Sequence, residues 1–495
     1  MERLAVWCST PRRRSAFALI ALALAVLAAT AFRPPPTIGP FARDFEAYYA
    51  AGATWNAGGD PWSRDIWQTE RTIPGVDATR DELLPFAGPA ASLPLWSVLA
   101  RLPFDAARVV WLILLAPAFA ILAVAAAALA HVRLTAARAA SALLFGVVTG
   151  PLISDIGLGQ AALVAAAAVA VALLALERGS PWAIAAAFAA AIQPNLALPL
   201  ASRLIERRAA LLLAGAVAAF IALTLIAGRG PAGFIAYLHR LAAHGAAERF
   251  SVIQYGVPAI LASFHLGTDA AAFAGNAVAF VAVGCAATAA IRLREQPHLA
   301  AAVAIAVLPW ALPFFHEHDF VIELIPAIVL AASSNARVRA VAGIASACVL
   351  IDWFGIAQRP HAAAQTLCLA FATACAFAAL PNRSLRAASP LPPLITCGLL
   401  ALTAVPLALA FPAPVWPDTL GAFHAAVNLD ASAVWGAEQQ RAGLNAFMPA
   451  WGILRAVPLL GCVGLAVAAY FAAEPAAITT RPARTASGTA VSDSP

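Results

Sequence analysis

The chain has 495 residues, 62% of them hydrophobic and 11% charged, with a mean hydropathy of +0.81. A water-soluble domain carries roughly 25% charged residues, so this composition excludes a soluble globular protein and predicts an all-α, polytopic membrane protein. The formal charge of +6 comes from arginines gathered at helix ends, as the positive-inside rule expects, and calls for no nucleic-acid partner.

Residues 1–14 end in Arg12-Arg13-Arg14, and an apolar run from about 15 to 32 follows. A signal peptide is one reading, because Ala29-Thr30-Ala31 resembles a cleavage site. The run exceeds the roughly 7–15 residues of a signal core, which favours an uncleaved first span with its N-terminus in the cytoplasm. Residues 33–85 then form a long outer loop, opened by Pro34-Pro35-Pro36 and rich in acids from Asp44 to Glu82. A short apolar helix near 86–101 is expected in the interface.

Further spans read at about 104–130, 139–153, 159–177, 182–203 and 208–227, then about 270–291, 298–315, 319–332, 338–357, 361–380 and 391–411. A final helix runs to about 472, which makes about 11–13 transmembrane helices in one polytopic domain, 1–472. Outer segments are expected at 228–258 and 412–448, and residues 473–495 read as a polar, disordered tail. Both Glu177-Arg178 and Arg203 to Arg208 carry cytoplasmic signatures, yet one apolar run separates them. A hairpin broken at Gln193-Pro194-Asn195 would reconcile the two. The seven cysteines include no CxxC pair, so neither a disulfide framework nor a zinc site is indicated.

The first outer loop carries the strongest local pattern. If residues 45–57 are helical, Phe45, Tyr48, Tyr49, Gly52 and Trp55 recur at helical spacing, as in an interfacial helix with aromatic anchors. Asp44 stands at its N-terminal end. It can cap that helix, and it can also serve as a general base at the membrane surface. Moving a sugar onto an alcohol requires the acceptor hydroxyl to lose its proton, which a positioned carboxylate can take. Asp60-Pro61 reads as the cap of the next turn.

"DFEAYYAAGATWNAGGDPW" resembles the signature D-[FL]-x-x-Y-x-x-A-x-x-x-x-x-G-x-D-P-[YW] of glycosyltransferase family 87. "LPLWSVLARLPFDAARVVWLILL", "GLGQAALVAAAAVAVALLALERGSPW" and "AAAFAAAIQPNLALPL" are similar to three further motifs of that family, in order, over about residues 30–210. The resemblance implies a GT-C fold and a membrane enzyme of the plasma (inner) membrane, working on its extracytoplasmic face. It implies a polyprenyl-phosphate sugar as donor, a mannose- or arabinofuranose-like unit transferred with inversion, and a glycan or glycolipid hydroxyl as acceptor. No cofactor or metal is implied. Asp44 maps onto the family's catalytic base.

Glu46, Tyr48, Gln160, Gln193 and Asn195 fall in or beside the matched motifs and are expected to bind substrate. Gln193 departs from the family, which has lysine before the proline. If that lysine binds donor phosphate, this chain must use another cation, such as Arg43, Arg64 or Arg240, or a different donor. The stretch "FFHEHDF" adds His316, His318 and Asp319 between two apolar runs, where ionisable groups are costly and usually functional. On a helix His316, Asp319 and Glu323 would share a face and His318 would point elsewhere. Two histidines at i, i+2 would diverge, which argues against a metal. The cluster is then either a polar loop or part of the site, relaying a proton or holding phosphate.

Two rival readings need no transfer chemistry. One is a transporter or flippase for a lipid-linked glycan, favoured by the many spans but not by the absence of matching halves. The other is an inactive scaffold subunit.

Overall fold

The computed structural model describes residues 11–32, 42–73, 84–380, 391–415 and 429–473. The proline triplet at 34–36, the acids Asp77, Asp81 and Glu82, residues 416–428 of the 412–448 loop and nearly all of the expected tail lie outside the described residues. Among those described, every regular element is helical.

Among the described residues, seven helices are long and apolar enough to cross a membrane: those within 13–30, 104–129, 207–227, 268–292, 360–379, 391–410 and 449–472. Ala136–Val147 and Gly150–Leu158 would make an eighth if counted together, although they meet at a bend of 69°. Length and composition thus support fewer crossings than the 11–13 expected. The difference has a physical origin in the breaks. A crossing needs about 20 helical residues, and Pro194, Pro199 and the polar 313–319 stretch cut the remaining apolar runs into pieces too short to span alone.

The run expected at 182–203 is the clearest case. It divides into Trp182–Ala190, Pro194–Ala197 and a 3₁₀ segment Leu198–Arg203. At 1.5 Å per residue the first piece rises only about 13 Å. The chain therefore turns at Gln193-Pro194-Asn195, where a broken hairpin is expected from the arginines on either side.

Long helices present their apolar side chains outward. Phe273 is 76% exposed, Phe280 81% and Leu402 75%. Water would not tolerate apolar faces of that extent on a monomer, whereas lipid does. Inward, Trp96, Trp111 and Trp353 are fully buried. The helix Phe104–Leu129, hereafter α1, packs along the helix Ala162–Glu177, hereafter α2. Outside the long helices, Asp44–Asn56 and Leu93–Leu99 lie against each other, as do Pro231–Glu248 and Ala431–Arg441.

The outer pieces are fastened by a buried arginine of the last long helix. Arg455, 1% exposed, donates to the carbonyls of Val252 at 3.2 Å, Gln254 at 2.8 Å and Ala259 at 3.3 Å, and also to the Ser263 hydroxyl. A planar guanidinium with five donors suits such a fan of acceptors. It holds the 251–263 segment where Gln254 and Tyr255 face the interior.

Candidate functional site

A cavity of about 1650 Å³ opens between the outer helices and the ends of the long ones. Asp44, Tyr48, Gln160, Gln193, Asn195, His316, His318 and Asp319 all line it. They come from four separate stretches of sequence, so the fold brings together most of the expected site residues.

The wall around Asp44 is built on a glycine turn. Helix Gly150–Leu158 ends at Gly159, whose φ of +72° lies in the left-handed region that glycine enters without penalty. A Cβ there would meet that of Ala42 at 2.8 Å. The Ala42 amide donates to the Gly157 carbonyl at 2.8 Å, and the Trp111 indole donates to the Gly159 carbonyl at 2.8 Å. Two distant segments, 42–44 and 157–160, are thereby held in register. Gln160 then donates from Nε2 to Asp44 Oδ2 at 2.6 Å, and its Oε1 accepts from the Tyr48 hydroxyl.

Asp44 is the first helical residue of 44–56, and no side chain caps that helix. Its carboxylate instead faces the cavity, with Arg43 Nε 3.4 Å from Oδ1. The capping role open to Asp44 from sequence is thus not the one observed. Asp60 does act locally, since its Oδ1 accepts from the Trp62 amide at 3.0 Å. Tyr48 stacks on Trp96 with centroids 4.6 Å apart and planes at 9°. Burial, then the charges of Asp44, Asp155 and Asp319, push its phenol well above the ordinary value, so it stays protonated and donates.

Across the cavity the segment 314–319 enters as a tight turn leading into a 3₁₀ segment, His318–Glu323. The face shared by His316, Asp319 and Glu323 was read for the case of a helix, and the 3₁₀ form changes which groups meet. The His316 and His318 rings do not diverge but stack, 5.1 Å apart at 9°. Glu323, expected on the His316 face, is instead fully buried beside Cys462 Sγ at 3.8 Å. His316, His318 and Asp319 each offer a ligand atom within 4.8 Å of the others, so this trio could hold a metal ion.

His316 is anchored by groups the sequence did not single out. Its Nε2 lies 3.1 Å from Glu248 Oε2 and 2.8 Å from Gln254 Nε2, while Asp319 Oδ2 accepts from the His316 amide at 3.0 Å. Glu248 also accepts from the Trp435 indole at 2.7 Å and from Gln254 at 3.0 Å, with His244 Nε2 at 3.6 Å. Burial alone would lower the His316 pKa, but the Glu248 charge and the bond to Asp319 outweigh it and raise it. Burial would raise that of Glu248, and His244 and His316 outweigh it and lower it. The result is a buried His316–Glu248 ion pair at the cavity wall. Local spacing shows only the His244–Glu248 pair, four residues apart, whereas His316 and Trp435 lie over sixty residues from Glu248.

A third group consists of Glu317, Asp352 and Arg359, which also line the cavity. Arg359 Nη2 lies 2.8 Å from Asp352 Oδ2, and Asp352 Oδ1 accepts from the Gly355 amide at 2.6 Å. Burial and then the Asp352 charge push the Glu317 carboxyl upward. Neither Asp352 nor Arg359 falls in a stretch that the sequence singles out as a site.

Two expected substrate ligands stand elsewhere. Glu46 is 1% exposed and is not among the cavity-lining residues, because it falls on the inner face of its helix, two positions from Asp44. Arg240 donates to the Trp62 carbonyl and, at 3.2 Å, to Asp60 Oδ2, which ties Pro231–Glu248 to the 60–62 turn instead of reaching the cavity. Arg64 lies over the Trp67 ring at 5.4 Å. Among the described residues, the arginines that line the cavity are Arg43 and Arg359. Gln193, in place of the expected lysine, has a buried Oε1 that accepts no hydrogen bond among the described residues.

Residues 86–313 match the family model described as glycosyltransferase family 87. That segment holds Gln160, Gln193 and Asn195 but begins after Asp44 and ends before His316. No curated protein and no solved structure matches the chain.

Proposed function

We propose, from the match of residues 86–313 to the model of glycosyltransferase family 87, that this chain is a membrane glycosyltransferase of that family and that Asp44 is the general base of a GT-C-type transfer. The observation that carries this reading is the Asp44 carboxylate, oriented by Gln160 and Arg43 on the wall of a cavity of about 1650 Å³. The acceptor is a glycan or glycolipid hydroxyl. Its proton passes to Asp44 as its oxygen bonds to the anomeric carbon. The bond from that carbon to the donor phosphate breaks, and its electron pair leaves with polyprenyl phosphate, inverting the configuration.

The leaving phosphate gains negative charge, and preorganised cations are the usual means of stabilising such charge. Arg359 suits that role, because it lines the cavity and remains half exposed even while paired with Asp352. His316 and His318 lie on the same wall as Asp319 and complete the polar lining. Mannose- and arabinofuranose-like donors both fit a cavity of this size, which also admits the sugar of the acceptor. The proposed setting is the plasma membrane, with the cavity on the extracytoplasmic side.

The test is to incubate the purified chain in detergent with polyprenyl-phosphate mannose or polyprenyl-phosphate arabinofuranose and a glycolipid acceptor. Release of polyprenyl phosphate in step with a longer acceptor is the expected result. Transfer from a nucleotide sugar, with polyprenyl donors inert, would overturn the donor assignment. Movement of an intact lipid-linked glycan across vesicles without bond cleavage would instead support the flippase reading.

A further inference from the structure

At the other end of α2 from Gln160, three side chains from three helices converge away from the cavity. Glu177 is the last residue of α2, His131 follows the end of α1, and His298 opens the helix Pro297–Ala306. Since α2 has 16 residues, this point lies about 24 Å along the helix from its cavity end. His131 Nε2 is 3.3 Å from Glu177 Oε1, and the His131 and His298 rings meet edge to face with centroids 5.3 Å apart. One ligand atom from each residue lies within 4.8 Å of the other two. From this juxtaposition of His131, Glu177 and His298 we infer a binding site for a divalent transition-metal ion of the zinc class.

Three further features agree. The second carboxylate oxygen of Glu177, Oε2, is buried and accepts no hydrogen bond among the described residues. A buried carboxylate oxygen with nothing to accept calls for an explanation, and a metal ion supplies one.

The second feature is backbone geometry. His131 has φ +52°, in the left-handed region where glycine is preferred. Its amide donates to the Ala128 carbonyl at 2.9 Å, and the Val132 amide donates to that of Ala127 at 3.1 Å, the double bond pattern that ends a helix at such a residue. A histidine occupies the position where glycine would be cheapest, and the turn brings its ring to Glu177.

The third feature is the local field. Glu177 lies at the negative end of α2, where a carboxylate is disfavoured and a cation favoured. The end of α1 adds a second negative pole beside it. Arg178, the next residue, is exposed to solvent, so water screens its opposing charge. Two imidazoles and one carboxylate form a ligand set that zinc accepts, with a position left for water. Bound metal would clamp α1, α2 and the start of Pro297–Ala306 together at the end remote from the cavity.

The trio at His316, His318 and Asp319 is the control for location. The full-length, tag-free chain, stripped of metal in detergent, is titrated with Co²⁺ while its visible absorption is followed. The expected result is saturation at one cobalt per chain, with bands reversed by added Zn²⁺. Glu177→Gln and His298→Ala each weaken binding at least tenfold, whereas His316→Ala with His318→Ala leaves these bands in place. Gel filtration of every variant keeps misfolding apart from loss of a ligand. Absence of cobalt binding by the folded chain overturns the site and leaves only the contact of His131 with Glu177. Binding that survives both Glu177→Gln and His298→Ala overturns it equally.

Discussion

Asp44 and Glu46 sit two residues apart, yet their surroundings assign them opposite tasks. Asp44→Asn keeps the size of the side chain and an oxygen able to accept from Gln160, but it removes the basicity. General-base catalysis is worth about 10²- to 10⁴-fold, so turnover should fall in that range while folded yield holds. Glu46→Gln should do the reverse, lowering folded yield with turnover per folded molecule unchanged, because its carboxylate is buried outside the cavity wall. Steady-state rates normalised to gel-filtration yield distinguish the two, and a normal rate for Asp44→Asn would remove the mechanism. The His316–Glu248 pair makes a pH prediction. The His316 pKa is raised to about 10, so its share of stability is complete below the ordinary histidine value and declines as pH rises through about 10. The Glu248 pKa is lowered to about 2, so its share is complete above the ordinary carboxylate value and is lost only as pH falls through about 2. Melting temperature in detergent should therefore drop on the alkaline side in the wild type. His316→Gln should flatten that limb, and an unchanged limb would mean that another group controls it.

Helix 44–56 shows what a sequence does and does not disclose about an element. Its aromatic spacing was legible, as was the run of turns after it. The role of Gly52 was not, because spacing only put it on the face with the aromatics. In the fold a Cβ at Gly52 would meet the Trp96 carbonyl oxygen at 2.2 Å and its carbon at 2.3 Å. Gly52 thus sets how closely this helix crosses Leu93–Leu99, and with it the stacking of Tyr48 on Trp96. Alanine would return about 1 kcal/mol of helix propensity. Overpacking typically costs about 1–3 kcal/mol, and a rigid backbone cannot yield as a side chain can. We expect Gly52→Ala to lower the melting temperature and, by shifting Tyr48 from Gln160, to lower turnover as well. A more stable, fully active variant would show that the two helices are free to separate. The polar turn at 314–319 was legible in composition but not in shape. Its side-chain directions were read for the case of an α-helix, beside a polar loop, and a 3₁₀ segment, with about 3.0 residues per turn, changed which side chains meet. Glu248 and Arg359 were illegible for a different reason. The cavity that Arg359 lines, and the His316 and Trp435 side chains that meet Glu248, arise only from tertiary packing.

At the scale of the whole molecule, the arginines and the broken helices make one argument about orientation. Arg12 to Arg14 precede the first apolar helix, and Arg133 and Arg138 follow α1. Arg178 follows α2, and Arg207 and Arg208 open the helix Arg207–Ala227. A continuous span at 182–203 would put Arg178 and Arg207 on opposite sides of the membrane and break the charge rule. The break at 191–193 removes the conflict, since Trp182–Ala190 can rise part of the way and return. On this reading all these arginines would share a side, which the rule would make cytoplasmic, and the orientation we propose turns the cavity with Asp44 the other way. Ser63 lies in the outer turn after Asp60, its hydroxyl bonded to the Asp60 carbonyl at 2.8 Å. A cysteine there should react with a membrane-impermeant maleimide in intact cells whose outer barrier has been permeabilised. A cysteine in place of Ala137, beside Arg138 at the start of the helix Ala136–Val147, should react only after lysis. Cys285, which is exposed along an apolar helix, is changed to alanine beforehand to lower the background. If the two labelling patterns were exchanged, the orientation would be inverted, and a donor on the extracytoplasmic face could no longer reach Asp44.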